Sequence, residues 1–319
     1  MQMRAFITGC AGFIGSHLTD RLLSSGCTVV GFDDFSSGQR RFLESAAKDP
    51  RFRLVEGDLL DMEALTAALE GADCVFHLAA NADVRHGTEH PRRDLEQNTI
   101  ATHNVLESMR ANGIRKIAFA STGSIYGEAT VVPTPEDAPF PVQTSLYGAS
   151  KLACEGLIAA YCEGFGLQSW IFRFVSILGE RYSHGHVFDF CKQLGSHPAY
   201  LQVLGDGRQR KSYLYVQDCL DAMLLAMARA DDRVNIFNLG VESYCEVQDS
   251  IAWISAALGL NPKITYNGGD RGWVGDNPFI LLDTRRIRAL GWRPKLSIEE
   301  GVLKTVAFLR DNAWVFDRS

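Results

Sequence analysis

The chain has no apolar run near the ~20 residues needed to cross a bilayer, so no membrane-spanning segment is expected. A strand-like run starts almost at residue 1, and no leader peptide is expected. Basic residues are not in excess. Lys and Arg number 32 against 38 Asp and Glu, a net charge of −6, which argues against a general affinity for nucleic acid. There is no C-x-x-C pair. The eight cysteines scatter over positions 10, 27, 74, 154, 162, 191, 219 and 245, which suggests neither a zinc site nor a disulfide framework. Reduced thiols in a cytoplasmic protein are the expectation. His86 and His90 share a helical spacing, but no third ligand stands at a useful distance, so no metal is expected. Internal repeats and low-complexity segments are also missing. The 46% hydrophobic and 22% charged residues of a 319-residue chain describe a soluble globular protein with a sizeable core.

The first forty residues carry a dense signal. Arg4–Thr8 reads as a buried strand and leads into Thr8-Gly9-Cys10-Ala11-Gly12-Phe13-Ile14-Gly15. Glycines at 9, 12 and 15 permit a tight turn and let backbone N–H groups approach a pyrophosphate at a helix N-terminus. Helical periodicity follows through Ile14, Leu18, Leu22 and Leu23, and Gly26 ends it. A second strand, Thr28 to Phe32, closes on Asp33-Asp34. An acid about 20 residues past the glycines binds the ribose hydroxyls of an adenosine and repels a 2′-phosphate, which favours NAD over NADP.

Strands and helices then alternate. Strands are expected at Phe52–Glu56, Cys74–Leu78, Ile117–Ala120 and Gln168–Phe174. Helices are expected at Met62–Leu69, Leu95–Asn112 and from Tyr147 to about Phe165. This alternation predicts an α/β fold, a Rossmann-type doubly wound parallel sheet. Ligands bind at the carboxyl ends of such strands, where Asp33, Asp58, Ala80, Thr122 and Phe174 fall. Residues 1–176 are expected to form the cofactor domain and 177–319 a smaller α/β substrate domain, with 234–239 returning to the main sheet.

Tyr147 and Lys151 stand one helical turn apart on one face. A phenol with its usual pKa of about 10 is a poor base at neutral pH, and a nearby ammonium lowers that pKa. The pair is a candidate general base with its activator, although such a pair also arises on solvated helix faces.

The glycine loop, Asp33, His77-Leu78-Ala79-Ala80, Ser121-Thr122 and Tyr147/Lys151 together resemble the extended short-chain dehydrogenase/reductase superfamily. Arg173-Phe174, Gly205-Asp206-Gly207, Tyr213 to Asp218 and Leu290-Gly291-Trp292-Arg293-Pro294 resemble its C-terminal landmarks, so the likeness covers nearly the whole chain. Within it, the runs Val203–Tyr213 and Arg271–Asp276 are most similar to the UDP-glucose (UDP-galactose) 4-epimerases.

The resemblance implies roles. Gly9, Gly12, Phe13, Ile14 and Gly15 would hold the NAD pyrophosphate. Asp33 would take the adenosine ribose, with Asp34, Ser36, Ser37 and Gly38 nearby, and Asp58 and Leu59 would flank adenine. Leu78, Ala79, Ala80, Asn98 and Phe174 would serve the nicotinamide half. Thr122, Tyr147 and Lys151 would be catalytic, Tyr147 as the base and Lys151 on the nicotinamide ribose. Thr122 and Tyr147 would also touch the nucleotide-sugar substrate, and Arg210, Lys211 and Arg271 are candidates for its diphosphate; a solvated surface is the plainer alternative for these three. Arg85 faces either substrate or a surface salt bridge, and His184-Gly185-His186 either shapes the sugar pocket or is a plain loop.

The implied reaction is a transient oxidation at C4 to a 4-keto sugar, with the hydride returned to the other face. Gly123 and Ser124 stand where related 4,6-dehydratases carry Asp-Glu, which weighs against elimination, and Ser124 supplies no decarboxylase glutamate. Ser176 replaces an asparagine of many epimerases and leaves nucleotide choice open. Epimerisation of UDP-glucuronate, a UDP-N-acetylhexosamine or a non-UDP sugar, a dehydratase, and a non-catalytic NAD-sensing protein are the alternatives. The resemblance also implies a homodimer, through the helices 95–112 and 147–165.

Overall fold

The computed structural model describes residues 3–81, 87–140, 142–269, 271–272, 277 and 279–317. Arg85, His86 and positions 273–276 of the epimerase-like run lie outside the described residues.

A seven-stranded sheet organises the chain. Its sequential strands are β1 (Arg4–Thr8), β2 (Thr28–Asp33), β3 (Phe52–Glu56), β4 (Cys74–His77), β5 (Lys116–Thr122) and β6 (Gln168–Phe174), joined by Val234–Leu239. The order is 234–239, β6, β5, β4, β1, β2, β3. β1 pairs in parallel with β2 on one side and β4 on the other, so the winding reverses between β1 and β4. That reversal opens a crevice at the carboxyl ends of the two strands. β1, β4 and β5 are buried along most of their length, as strands covered on both faces must be. β3 at the edge is half exposed.

Helices cover the sheet: α1 (Phe13–Ser24), α2 (Met62–Ala68), α3 (Pro91–Asp94), α4 (Ala101–Ala111) and α5 (Leu146–Phe165). The helix expected over 95–112 departs from that reading. It starts at Pro91, whose ring suits the first helical position, and passes through a π-helical turn at Leu95–Ile100 before becoming regular. Apolar periodicity carries no mark of such a turn.

α5 sets the position of two candidate catalytic residues. The Ser145 hydroxyl caps it by accepting from the Gly148 N–H at 3.0 Å, and Gly166 ends it in the left-handed conformation. Its buried positions Gly148, Lys151, the adjacent Cys154 and Glu155, Ile158 and Cys162 recur at helical spacing and form one inward stripe. Lys151 and Glu155 therefore enter the interior together. Glu155 pairs there with Arg173 of β6 at 2.7 Å, with side-chain exposures of 6% and 2%, and the Ser121 hydroxyl of β5 donates to the same carboxylate.

Two compact units interleave along the chain. The first contains residues 1–125, 143–173 and 223–237, and the second 126–142, 174–222 and 238–319. The second unit carries short two- and three-stranded sheets and the helices His186–Ser196, Val247–Leu258 and Ile298–Asp311. Among the described residues no helix is long and apolar enough to cross a membrane.

Glu155→Ala would strand the Arg173 guanidinium in the interior. The expected loss is about 3–5 kcal/mol, read as a lower denaturant midpoint, because an uncompensated buried charge is far costlier than a lost surface pair.

Candidate active site

At the carboxyl end of β1 the glycine loop is held by its own backbone. Gly9 N–H donates to Phe32 O at 2.8 Å, and Gly12 N–H to Gly9 O at 3.1 Å. Gly9 has φ +70°, and a side chain at Gly15 would lie 2.0 Å from Gly9 O, so the turn admits neither substitution. Phe13 and Ile14 open α1. Its N-cap, Gly12, offers no side chain to the first N–H groups, and no acid stands in the first turn. Those donors and the dipole suit an anion.

Asp33 ends β2 and is buried. One carboxylate oxygen accepts the Ala11 N–H at 2.8 Å and the other the Phe35 N–H at 2.9 Å. Burial raises its pKa despite these two bonds. Asp34 accepts from the backbone and hydroxyl of Ser36. Ser37 is exposed, and Gly38 lies so near Asp33 that an added Cβ would stand 2.8 Å from its carboxylate. Asp58, exposed after β3, closes a turn on the Leu60 N–H at 2.9 Å. Leu59 packs its side chain in the core, and its carbonyl accepts from the Asn104 side chain at 3.0 Å.

Leu78, Ala79 and Ala80 follow β4, half-buried, with the first two N–H groups on the Thr8 hydroxyl. Asn98 projects from the π-helical turn, buried. Its amide donates to Ser150 Oγ of α5 at 2.9 Å, and its oxygen accepts the Asn81 N–H at 2.8 Å. Buried Asp94, one turn earlier, accepts from the Asn81 side chain at 2.9 Å.

Thr122, Tyr147 and Lys151 come together in the first unit. Thr122 Oγ1 meets Ser124 Oγ at 3.2 Å, and Thr122 is hydrogen-bonded with the Tyr147 phenol. Lys151 is 2% exposed; its ammonium donates to Ala120 O at 2.8 Å and lies 4.6 Å from the Phe119 ring centre. The electrostatics differ from the sequence expectation. Burial pushes the Tyr147 phenol up to about 12, opposed by Thr122 and reinforced by Asp94 and Cys154. Lys151 is not among the groups that set it. Its own ammonium is pushed down to about 8 by burial and is committed to Ala120. In the protein alone, desolvation outweighs the expected activation.

The other named residues lie in the second unit. Phe174 is buried at the end of β6. Arg210 and Lys211 are successive residues of a two-residue strand and so point to opposite faces. Arg210 lies over Tyr244 and Phe279, 5.3 and 5.7 Å from their ring centres. Lys211 donates to Asn277 O at 2.7 Å. Arg271 pairs with Glu128, next to Gly127, whose carbonyl accepts from Asn277. Lys211 and Arg271 are thereby tied to one segment, and Arg210 to another. Ser176 is exposed and pairs in parallel with Tyr213. His186 sits between Tyr213 OH and Ser250 Oγ, each at 3.1 Å, as a packing residue, and its pKa is pushed down to about 3 by burial. Among the described residues no three His, Cys, Asp or Glu side chains group as metal ligands.

Sequence reasoning passed over Asp94, Glu155, the bond between Ser124 and Thr122, and the hydrogen bonds of His77. Only Asp94 left a local trace, as an acid four residues before Asn98.

A reversed parallel sheet, a glycine loop at an uncapped helix and an acid after β2 define a dinucleotide-binding fold. Residues 5–240 match the model of the NAD dependent epimerase/dehydratase family, and the chain belongs to that family. A UDP-glucose 4-epimerase of Mycolicibacterium smegmatis is 34% identical over 319 residues, 98% of this chain and 100% of that protein. A crystal structure of a UDP-galactose 4-epimerase is 38% identical with TM-score 0.88, covering 98% of this chain and 100% of that one. The UDP-glucose 4-epimerase of Thermotoga maritima, solved with UDP-glucose, is 32% identical with TM-score 0.87 and the same coverages.

The Tyr147 environment predicts a titration. The difference in tyrosinate absorbance between wild type and Tyr147→Phe should show a step near pH 12 without cofactor, and at lower pH with NAD, whose oxidised ring is cationic. The raised pKa also gives stability that is present below about 10, the unfolded value, and lost as pH rises toward about 12. The Tyr147→Phe variant should show a smaller alkaline decline in denaturant midpoint, the remainder coming from other raised phenols such as Tyr161.

Proposed function

We propose that the chain is an NAD-dependent nucleotide-sugar 4-epimerase that interconverts UDP-glucose and UDP-galactose. The observation that carries this reading is the cluster of Thr122, Tyr147 and Lys151 beside the end of β5, in a chain of the epimerase/dehydratase family. The sugar and nucleotide follow the relatives named above.

The residues present fit NAD. The glycine loop and the N-terminus of α1 suit its pyrophosphate, and Asp33 is a buried acceptor that suits ribose hydroxyls. When bound, NAD supplies the hydride acceptor at C4 and returns the hydride afterwards. Tyr147 takes the proton of the C4 hydroxyl and later gives it back. Thr122 hydrogen-bonds the phenol and stabilises it as charge develops. Lys151, one N–H of which is held by Ala120 O, offers a further N–H donor for a ribose hydroxyl. Arg210, Lys211 and Arg271 are the candidate cations for the diphosphate. Arg271 would exchange Glu128 for phosphate, a swap between exposed partners that costs little.

We assign the chain to the cytoplasm on its eight free thiols. A homodimer through the 95–112 and 147–165 helices is supported by Leu95, Ile100 and Leu146, which are 52%, 41% and 42% exposed on those elements.

Proton NMR with UDP-galactose in D2O, without added NAD, tests the activity. The expected outcome is a UDP-glucose anomeric signal with no deuterium in the ring. A deoxy methyl signal with deuterium uptake would show elimination instead. Tyr147→Phe should retain NAD and lose about 10²–10⁴-fold in turnover, the usual contribution of a positioned acid–base group; full activity would remove Tyr147 from the role of base. Sedimentation should give a single species of twice 35.2 kDa.

A further inference from the structure

A run of buried polar groups in the first unit is not used by the chemistry above. Thr8, His77, Thr102, Cys154 and Asn98 are each at most 1% exposed. Thr8 Oγ1 accepts the N–H groups of Leu78 at 3.1 Å and Ala79 at 3.2 Å. Both of its lone pairs are then engaged, and its single proton is left for its remaining neighbour, His77 Nδ1, at 2.8 Å. Nδ1 must therefore be bare, and a neutral imidazole then carries its proton on Nε2. Nε2 faces Thr102 Oγ1 at 3.0 Å. The Thr102 hydroxyl donates onward to Cys154 Sγ at 3.2 Å, and the Cys154 thiol donates to Asn98 O at 3.3 Å. Every proton in the chain is assigned by the one before it.

We propose that His77, held as its Nε2–H tautomer, is a positioning residue. It locks the Leu78–Ala79 backbone at the end of β4 to the π-helical turn bearing Asn98 and to α5, which bears Tyr147 and Lys151. A protonated ring would turn Nδ1 into a donor aimed at a hydroxyl whose lone pairs are already taken. The Leu78 N–H would keep the Thr8 carbonyl, 3.3 Å away, but the Ala79 N–H would lose its acceptor inside the protein, where an unmade hydrogen bond is costly. Burial and the charge of Lys151 push the His77 pKa down to about 3, in keeping with a ring that stays neutral. The proposal rests on the reading above only in its ligand: Leu78 and Ala79 are the surface that reading gives to the nicotinamide half of NAD. The hydrogen-bond directions rest on geometry alone.

Long-range ¹H–¹⁵N NMR of histidine-labelled wild type tests the tautomer, with His77 assigned by the signal missing from His77→Gln. The expected result is a bare Nδ1 and a protonated Nε2, unchanged between about pH 8 and pH 5. A proton on Nδ1, or an ordinary titration near 6.5, would overturn the proposal. NAD affinity of wild type and variants, measured calorimetrically after retained NAD has been stripped, tests the positioning. Thr8→Val keeps the shape and removes the hydroxyl, and should weaken NAD about tenfold, the loss of roughly one neutral hydrogen bond. Thr8→Ser and Cys154→Ser keep donors and acceptors and should restore wild-type affinity. Equal affinity in Thr8→Val and wild type would refute the positioning role. Wild type that binds no NAD at all would instead defeat the cofactor reading, and the tautomer measurement would then decide the relay alone.

Discussion

The ion pair between Glu155 and Arg173 is the constraint on which the first unit's site depends. A carboxylate and a guanidinium almost without solvent must be matched in geometry and in remaining hydrogen bonds. Glu155 meets both demands by accepting from Arg173 of β6 and Ser121 of β5. One helix is thereby clamped to two strands. Ser121 is next to Thr122, and Glu155 is one turn beyond Lys151, so the clamp sets how far α5 stands from the end of β5. The candidate proton-transfer groups inherit their spacing from a pair that touches none of the reacting atoms.

Burial explains why the candidate catalytic pair behaves differently from its appearance in a string of letters. Tyr147 and Lys151 are spaced for mutual help, yet the interior disfavours charge on both. The phenol holds its proton more tightly and the ammonium more loosely than in water. Both shifts lower the net ionisation of the site. A cationic ring beside the phenol would oppose the first, and under the proposed reaction activation of the base and occupation by cofactor would be one event rather than two.

Much of this was legible in the sequence where the information is local. The glycine loop, Asp33 and the Tyr147/Lys151 spacing each lie within one turn or one strand–helix–strand unit, where backbone geometry alone dictates neighbours. Partners far apart in the chain were not legible. His77 and Thr102 are 25 residues apart, and Arg271 and Glu128 are 143 apart; only the folded chain brings them together. The π-helical turn at Leu95–Ile100 is an irregularity of backbone that a 3.6-residue period cannot announce. The three cations offered to a diphosphate looked alike in sequence, and differ because an aromatic pair, a carbonyl and a carboxylate each claimed one.

Asp33 carries a consequence for anyone wishing to redesign the protein. The carboxylate that would exclude a 2′-phosphate is also the acceptor for the N–H groups of Ala11 in the glycine loop and Phe35 after β2. If Asp33 takes the ribose as proposed, cofactor preference and loop integrity would rest on the same two oxygen atoms. Retargeting the chain to a phosphorylated dinucleotide by changing Asp33 alone would loosen the loop that must grip the new molecule. A workable design has to supply a substitute acceptor for both amides before it adds a cation, which makes dinucleotide choice in this chain a property of several positions acting together.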